Sequence, residues 1–356
     1  MLTLLLNLAL LALSPTSLQD PILLPTPAET ATAISITREG MVMGTPWSLT
    51  LAAESRPTAL AASEIVFLAL AASELRLSNW NEDSELSRWN RSIPGEPFAC
   101  SPSFSHELRR ADTWRRITSG AFSPLTEPLV RAWDLRGSGR VPSARELAQA
   151  LDACSPAGLT WMEDQPIRSG AALIASGGFG KGAALDAALN LSVAEHSGPI
   201  SINLGGQVIV RACTETVGIA HPQNRAQAIA YWRLDSGSLA TSGNSERSKE
   251  VNDQKIGHIL DPRTGQPALD FGSVTVWCDN ALDADCLSTA MFVLGPDKGM
   301  QLAASLKNVR VLFIENTADG LRLRATPNCQ PYLTSAHPIH GLLDPQEAHN
   351  PSHPAK

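Results

Sequence analysis

No long basic run occurs anywhere in this chain. Lys and Arg total 28 against 35 Asp and Glu, a formal net charge of −7, and the nearest things to a basic patch are pairs such as Arg109-Arg110 and Arg115-Arg116. Such pairs read as a solvated helix face. Binding a phosphate backbone needs a basic surface, so a nucleic-acid partner is not expected. Cysteine is scarce and scattered: Cys100, Cys154, Cys213, Cys278, Cys286 and Cys329 form no C-x-x-C pair, which removes zinc-site and thioredoxin-like chemistry. Disulfides could form among them in an exported chain, but the sequence gives no pairing. Cys278 and Cys286 lie in apolar segments and read as buried small hydrophobes. The N-terminal apolar run, MLTLLLNLALLALS, is too short for a comfortable membrane span. It has the length of an export signal, although Lys and Arg are missing ahead of it and Pro15 follows the Ala12-Leu13-Ser14 cleavage motif. With no cysteine nearby, a lipid anchor is not expected. A buried helix is the alternative, and the Pro-rich stretch from Pro15 to Pro27 would tether it loosely.

Apolar residues make up 43% of the 356 and charged residues 18%, a balance that supports a globular core in one large domain or two modest ones. SLTLAA from Ser48 alternates like a strand, and Thr58 to Leu77 has a helix pattern with Glu64 and Glu74 on its polar side. Helices are also predicted over Phe104 to Ser119 and over Ser143 to Ala153. The latter opens on Ser143 with Glu146 three residues on, a capping box. Short strands follow at AALIA (171), SINLGG (201), VIVRA (208), TVGIA (216), AIAYWRLD (228), SVTVWC (273), VRVLFIE (309) and LRLRA (321). Most are joined without an intervening helix. Strands grouped in meanders with interspersed helices predict an α+β fold of mixed, largely antiparallel sheets flanked by helices. No internal repeat is evident.

The densest chemistry lies in His258-Ile-Leu-Asp-Pro-Arg-Thr-Gly-Gln-Pro267, which puts an imidazole, a carboxylate and a guanidinium on one turn before a strand. After that strand comes DADCLSTAMFVLG, where Asp285 and Thr289 stand four apart on a predicted helix and share a face. A carboxylate beside a hydroxyl suits a hard, oxygen-seeking ion such as Mg²⁺. Read alone, Asp285 could equally be a helix-start carboxylate at the helix surface, and Thr289 a core-facing residue. GGFGKGAALDAALN follows AALIA and opens a helix whose first N–H groups could meet an anionic oxygen. It fits neither the Walker pattern, since nothing hydroxylic follows Lys181, nor G-x-G-x-x-G, since the glycines fall at 178, 180 and 182.

Taken in order, these blocks and five others resemble the ApbE-type FAD:protein FMN transferases. The others are MGTPWSLTL from Met43, NWNEDSELSRWN from Asn79, GAFSPLTEPLVRAW from Gly120, and the pair NLGG from Asn203 and ATSG from Ala240. The resemblance implies an ApbE-like single domain, expected over residues 39–335, behind a signal peptide at 1–18 and a Pro-rich linker at 19–38. Residues 336–356, rich in His and Pro, are expected to form a disordered tail. It implies a metal held by Asp285, Thr289 and the Gly178 carbonyl, with FAD contacted by Met43, Trp80, Ala121, Phe122, Ser123, Lys181 and Ile259. Ser242 and Gly243 would shape the pocket. The implied reaction moves FMN from FAD, the substrate, to a threonine of an acceptor flavoprotein, with Mg²⁺ as the cofactor and AMP released. By residue type His258 is the best proton acceptor, while Asp261 and Arg263 are expected to fix the loop with an internal ion pair. The implied partner belongs to a membrane redox complex, while the N-terminal apolar run places the expected location outside the cytoplasm, periplasmic or extracytoplasmic and membrane-associated. The chain departs from the family at Ser123 and Ala175, where acids are usual, and at Ser245, where an aromatic is usual. With two carboxylates gone, a non-catalytic extracytoplasmic FAD-binding protein is one alternative expectation; with water attacking in place of the acceptor, an FAD pyrophosphatase is the other.

Overall fold

Alternation of large apolar with small or polar residues builds the scaffold. In Thr45–Ala53, Trp47, Leu49 and Leu51 are buried while Pro46 and Thr50 are exposed, so one face of the strand meets a core. The computed structural model describes residues 33–244, 248–251 and 254–341. Among these, nine strands form one sheet in the same order as they occur in the chain: Ile34–Val42, Thr45–Ala53, Ile200–Leu204, Gln207–Arg211, Gly237–Gly243, Gly272–Cys278, Arg310–Thr317, Gly320–Ala325 and Ile339–His340. Every neighbouring pair is antiparallel except the last. The fold is therefore α+β with largely antiparallel sheets, as expected.

Seven helices were found among the described residues: α1 (Arg56–Leu77), α2 (Glu85–Asn90), α3 (Pro102–Ile117), α4 (Glu127–Ala132), α5 (Ala144–Ala153), α6 (Gly180–Glu195) and α7 (Ala281–Ser305). On one sheet face, Leu49, Ile200 and Ile202 pack with Val66 and Leu70 of α1 and Leu185 of α6. Further along, Val274 and Val276 pack with Leu287 and Met291 of α7. A three-stranded sheet of Leu333–Ser335, Ala228–Leu234 and Glu215–Ala220 closes part of the other face, where Trp232 and Ile219 meet Val210, Leu239 and Leu312. The capping box of α5 forms as read: the Ser143 hydroxyl accepts from the Glu146 N–H and the Glu146 carboxylate accepts from the Ser143 N–H. All six cysteines are free, and burial pushes the thiols of Cys278 and Cys286 well up.

Several expectations change. AALIA is no strand: the Ile174 N–H and carbonyl are held by the Asn90 amide, the carbonyl also accepts from Asn79, and the Ala175 N–H donates to the Pro124 carbonyl. Side-chain amides satisfy this buried backbone where a neighbouring strand would have done so. The stretch read as linker contains the beginning of an edge strand, Ile34–Val42, paired along its whole length with Thr45–Ala53. The stretch read as tail contains Ile339 and His340, which pair in parallel with Leu323 and Arg324. The expected signal peptide, the linker up to residue 32 and the tail from 342 lie outside the described residues, as does Ser245.

Candidate functional site

The site forms where the first turns of α6 and α7 meet. Gly182 lies so close to the Ala281 carbonyl that any Cβ there would collide with backbone, so the sequence needs glycine for this approach. Each helix then caps the other. Asp186 of α6 accepts from the Ala281 and Leu282 N–H groups of α7 at 2.7 and 3.0 Å, while the residue at the α7 cap position, Asn280, makes no side-chain cap bond. In return Asp285 of α7 accepts from the Gly182 N–H of α6 at 3.1 Å. Carboxylates at helix N-termini meet unsatisfied N–H groups and the positive end of the helix dipole. Burial raises the Asp186 carboxyl above its usual range, opposed by those two N–H bonds.

Asp285 is thus not at a helix surface. It is only 4% exposed, because its face of α7 turns toward α6, and its other oxygen lies 3.2 Å from the Lys181 ammonium. Gly178 sits against Thr289: a Cβ on Gly178 would come 3.3 Å from the Thr289 hydroxyl oxygen and 3.1 Å from the Phe122 ring. Gly180 lies against Met43 in the same way, at 3.1 Å from its Cε, and Met43 holds a left-handed φ of 53° in the turn between the first two strands. Six of the expected residues, Met43, Phe122, Gly178, Lys181, Asp285 and Thr289, therefore line one locality.

The Ala121-Phe122-Ser123 turn is buried, and the Ser123 hydroxyl accepts from the Leu125 N–H at 3.1 Å. Gly120 beside it abuts the Arg263 stem, which brings this turn to the His258–Pro267 loop. In that loop the Arg263 guanidinium donates to both Asp261 oxygens at 2.8 Å, the internal ion pair expected from the sequence. His258 is half-buried. Ile259 is buried in a cluster with Ala284 and Leu287, which flank Asp285 in sequence. Ser242 donates to the Ser288 hydroxyl at 2.9 Å, and Ser288 donates to the Asp285 carbonyl at 3.0 Å, so the ATSG block supports the turn of α7 that carries Asp285. Trp80 stands apart, 74% exposed, while its neighbour Asn79 accepts from the Ser176 N–H in the glycine loop at 2.9 Å.

Sequence reading missed Asp186 and Ser288 as parts of the site. The signal for Asp186 was a carboxylate set among the alanines and leucines of α6, four residues after Gly182; Ser288 gave none. Nor was it apparent that the two departures are neighbours: Ala175 donates to the carbonyl of Pro124, the residue after Ser123.

With the glycine loop, the paired helix starts and the His258 loop gathered in the order the sequence blocks predict, the family comparison is decisive: the ApbE family model matches residues 43–313. The chain belongs to the ApbE family. It is 27% identical over 325 residues to an FAD:protein FMN transferase of Klebsiella pneumoniae (strain 342), covering 86% of this chain and 91% of that one. It is 31% identical over 279 residues to an FAD:protein FMN transferase of Treponema pallidum (strain Nichols), covering 71% and 77%. The fold matches the ApbE protein of Thermotoga maritima with a TM-score of 0.74 at 24% identity, over 81% of this chain and 96% of that one. The apo flavinyl transferase ApbE of Pseudomonas stutzeri gives the same TM-score and identity over 83% and 95%.

The residues present also fit the cation expected of the site. Asp285, Thr289 and the Gly178 backbone offer hard oxygen atoms with a single carboxylate, a donor set that would suit Mg²⁺.

Proposed function

We propose that this protein transfers the FMN portion of FAD to a threonine hydroxyl of an acceptor flavoprotein and releases AMP. The observation that carries the reading is that one face of α7 sets the Asp285 carboxylate on the Gly182 N–H and the Thr289 hydroxyl against Gly178, both at the start of α6. The names of the relatives agree with it. A helix start with a nearby ammonium favours an anionic ligand, and Lys181 supplies that ammonium for a diphosphate. Mg²⁺ held by Asp285, Thr289 and the Gly178 carbonyl would neutralise charge on the diphosphate.

In the transfer, the acceptor threonine oxygen forms a bond to the FMN phosphorus as the bond from that phosphorus to the bridging oxygen breaks, and AMP departs with that oxygen. The threonine proton passes to His258, held on a loop braced by the Asp261–Arg263 pair. Met43 and the Phe122 turn border the space beside the glycine loop and exclude water from it. The acceptor is proposed to belong to a membrane redox complex, and the protein to act after export. A reporter active only outside the cytoplasm, fused behind residues 1–30, tests the export, and a reporter that stays inactive would refute it. Incubating a candidate acceptor with this protein, FAD and Mg²⁺, then weighing the acceptor and assaying AMP, tests the reaction.

A further inference from the structure

Trp80 is an unusually open indole, 74% exposed, yet it is firmly framed. The backbone N–H of Trp80 donates to the Ser78 hydroxyl at 3.1 Å, as does the backbone N–H of Asn81 at 3.0 Å. Asn79, the residue before Trp80, is fastened to the glycine loop through Ile174 and Ser176. The Arg136 guanidinium lies over the Trp80 ring, 5.5 Å from its centroid, within the range of a cation–π contact. Arg136 is itself held by both oxygens of Glu127, at 2.6 and 2.5 Å. The Glu127 side chain is 2% exposed and also binds Arg131 at 2.8 Å. A buried carboxylate is costly unless firmly paired, so this one fixes a guanidinium beneath a ring whose other side faces solvent. Glu127 opens α4, four residues after the Ser123 turn, which ties the arrangement to the site.

We infer that Arg136 is a positioning residue for FAD, acting through Trp80: the Glu127–Arg136 pair holds the indole as a preset platform on which a flat ring of the dinucleotide stacks. This rests on the proposed function. Presetting a binding group lowers the ordering cost of association, so its loss appears in affinity and leaves the chemical step alone. Lysine at 136 keeps the charge but not the two-pronged grip on Glu127.

The test measures FAD affinity by flavin fluorescence, and FAD KM and kcat for FMN transfer, in the full chain and its R136A, R136K, W80A and W80A/R136A variants. Arg136→Ala leaves the buried Glu127 with Arg131 alone, so circular dichroism checks that the fold is kept, and W80A, which leaves every Glu127 pair intact, reads the platform independently of it. Affinity should fall about three- to fivefold in R136A, KM should rise in step with kcat within about twofold, and R136K should recover part of the loss. The double variant should bind no more weakly than W80A, because residues acting through one contact are not additive. Unchanged affinity in R136A or in W80A overturns the inference, as do losses that multiply in the double variant, which would mean Arg136 meets the ligand directly. If the unaltered protein neither binds FAD nor transfers FMN, the proposed function itself fails.

Discussion

Replacing Asp285 separates its structural role from its chemical one. One oxygen accepts from the Gly182 N–H and the other faces Lys181. Asp285→Ala leaves that buried N–H without a partner, at a cost of about 1 to 3 kcal/mol. It also removes an ion pair that contributes about 0.5 to 1 kcal/mol, because the Lys181 side chain is 31% exposed and screened by solvent. The total is roughly 2 to 4 kcal/mol, enough to see in urea unfolding. Asp285→Asn keeps an acceptor for Gly182 and loses only the ionic part, so its stability should fall by about 1 kcal/mol or less. Both variants lose the charged metal ligand, and FMN transfer should become undetectable in both. Unfolding curves beside a fluorescent-acceptor transfer assay at limiting Mg²⁺ read the two effects separately. Normal transfer by Asp285→Asn would refute the ligand role, and equal stability of the two variants would refute the Gly182 account.

His258→Ala should lower kcat at least tenfold while changing FAD affinity less than twofold, since a proton acceptor acts on the transition state; parallel losses in rate and in a binding titration would mark a structural role. Ser123→Asp and Ala175→Asp, made singly, should each bury a new carboxylate at a position under 10% exposed, and the pair together should weaken FAD binding more than the product of the singles, because adjacent like charges repel; a titration giving tighter binding in the double variant would contradict this. Glu146 is held down to about 2 by the Ser143 N–H and hydroxyl and by Arg140. Its folded value lies below the usual 4.5, so its stabilising effect is present above that pH and is lost as pH falls toward about 2. Acid unfolding of wild type and Glu146→Gln should therefore converge at the low end, and a constant difference down to that pH would disprove it.

Strand alternation in SVTVWC and the Ser143–Glu146 box were legible because their causes are local: period-two burial and a three-residue hydrogen-bonding reach. AALIA misled for the same reason. Its residues are buried at Ala172, Ile174 and Ala175, which is all that an apolar run records, while its hydrogen bonds come from asparagines more than 80 residues earlier. At the site, the spacing of Asp285 and Thr289 was readable from one helix. The reciprocal caps were not, because Asp186 and Asp285 each act on the start of the other's helix, a relation fixed by packing at Gly182. The burial of Asp285 follows from that packing and has no mark in the sequence around it.

Transfer of FMN to a protein threonine is read out by mass spectrometry of an acceptor flavoprotein after incubation with this protein, FAD and Mg²⁺. The prediction is an acceptor heavier by one FMN less one water, with the mass on a threonine and one AMP formed per acceptor modified. An unmodified acceptor would contradict it, whether FAD is split to free FMN and AMP by water or remains intact on the protein.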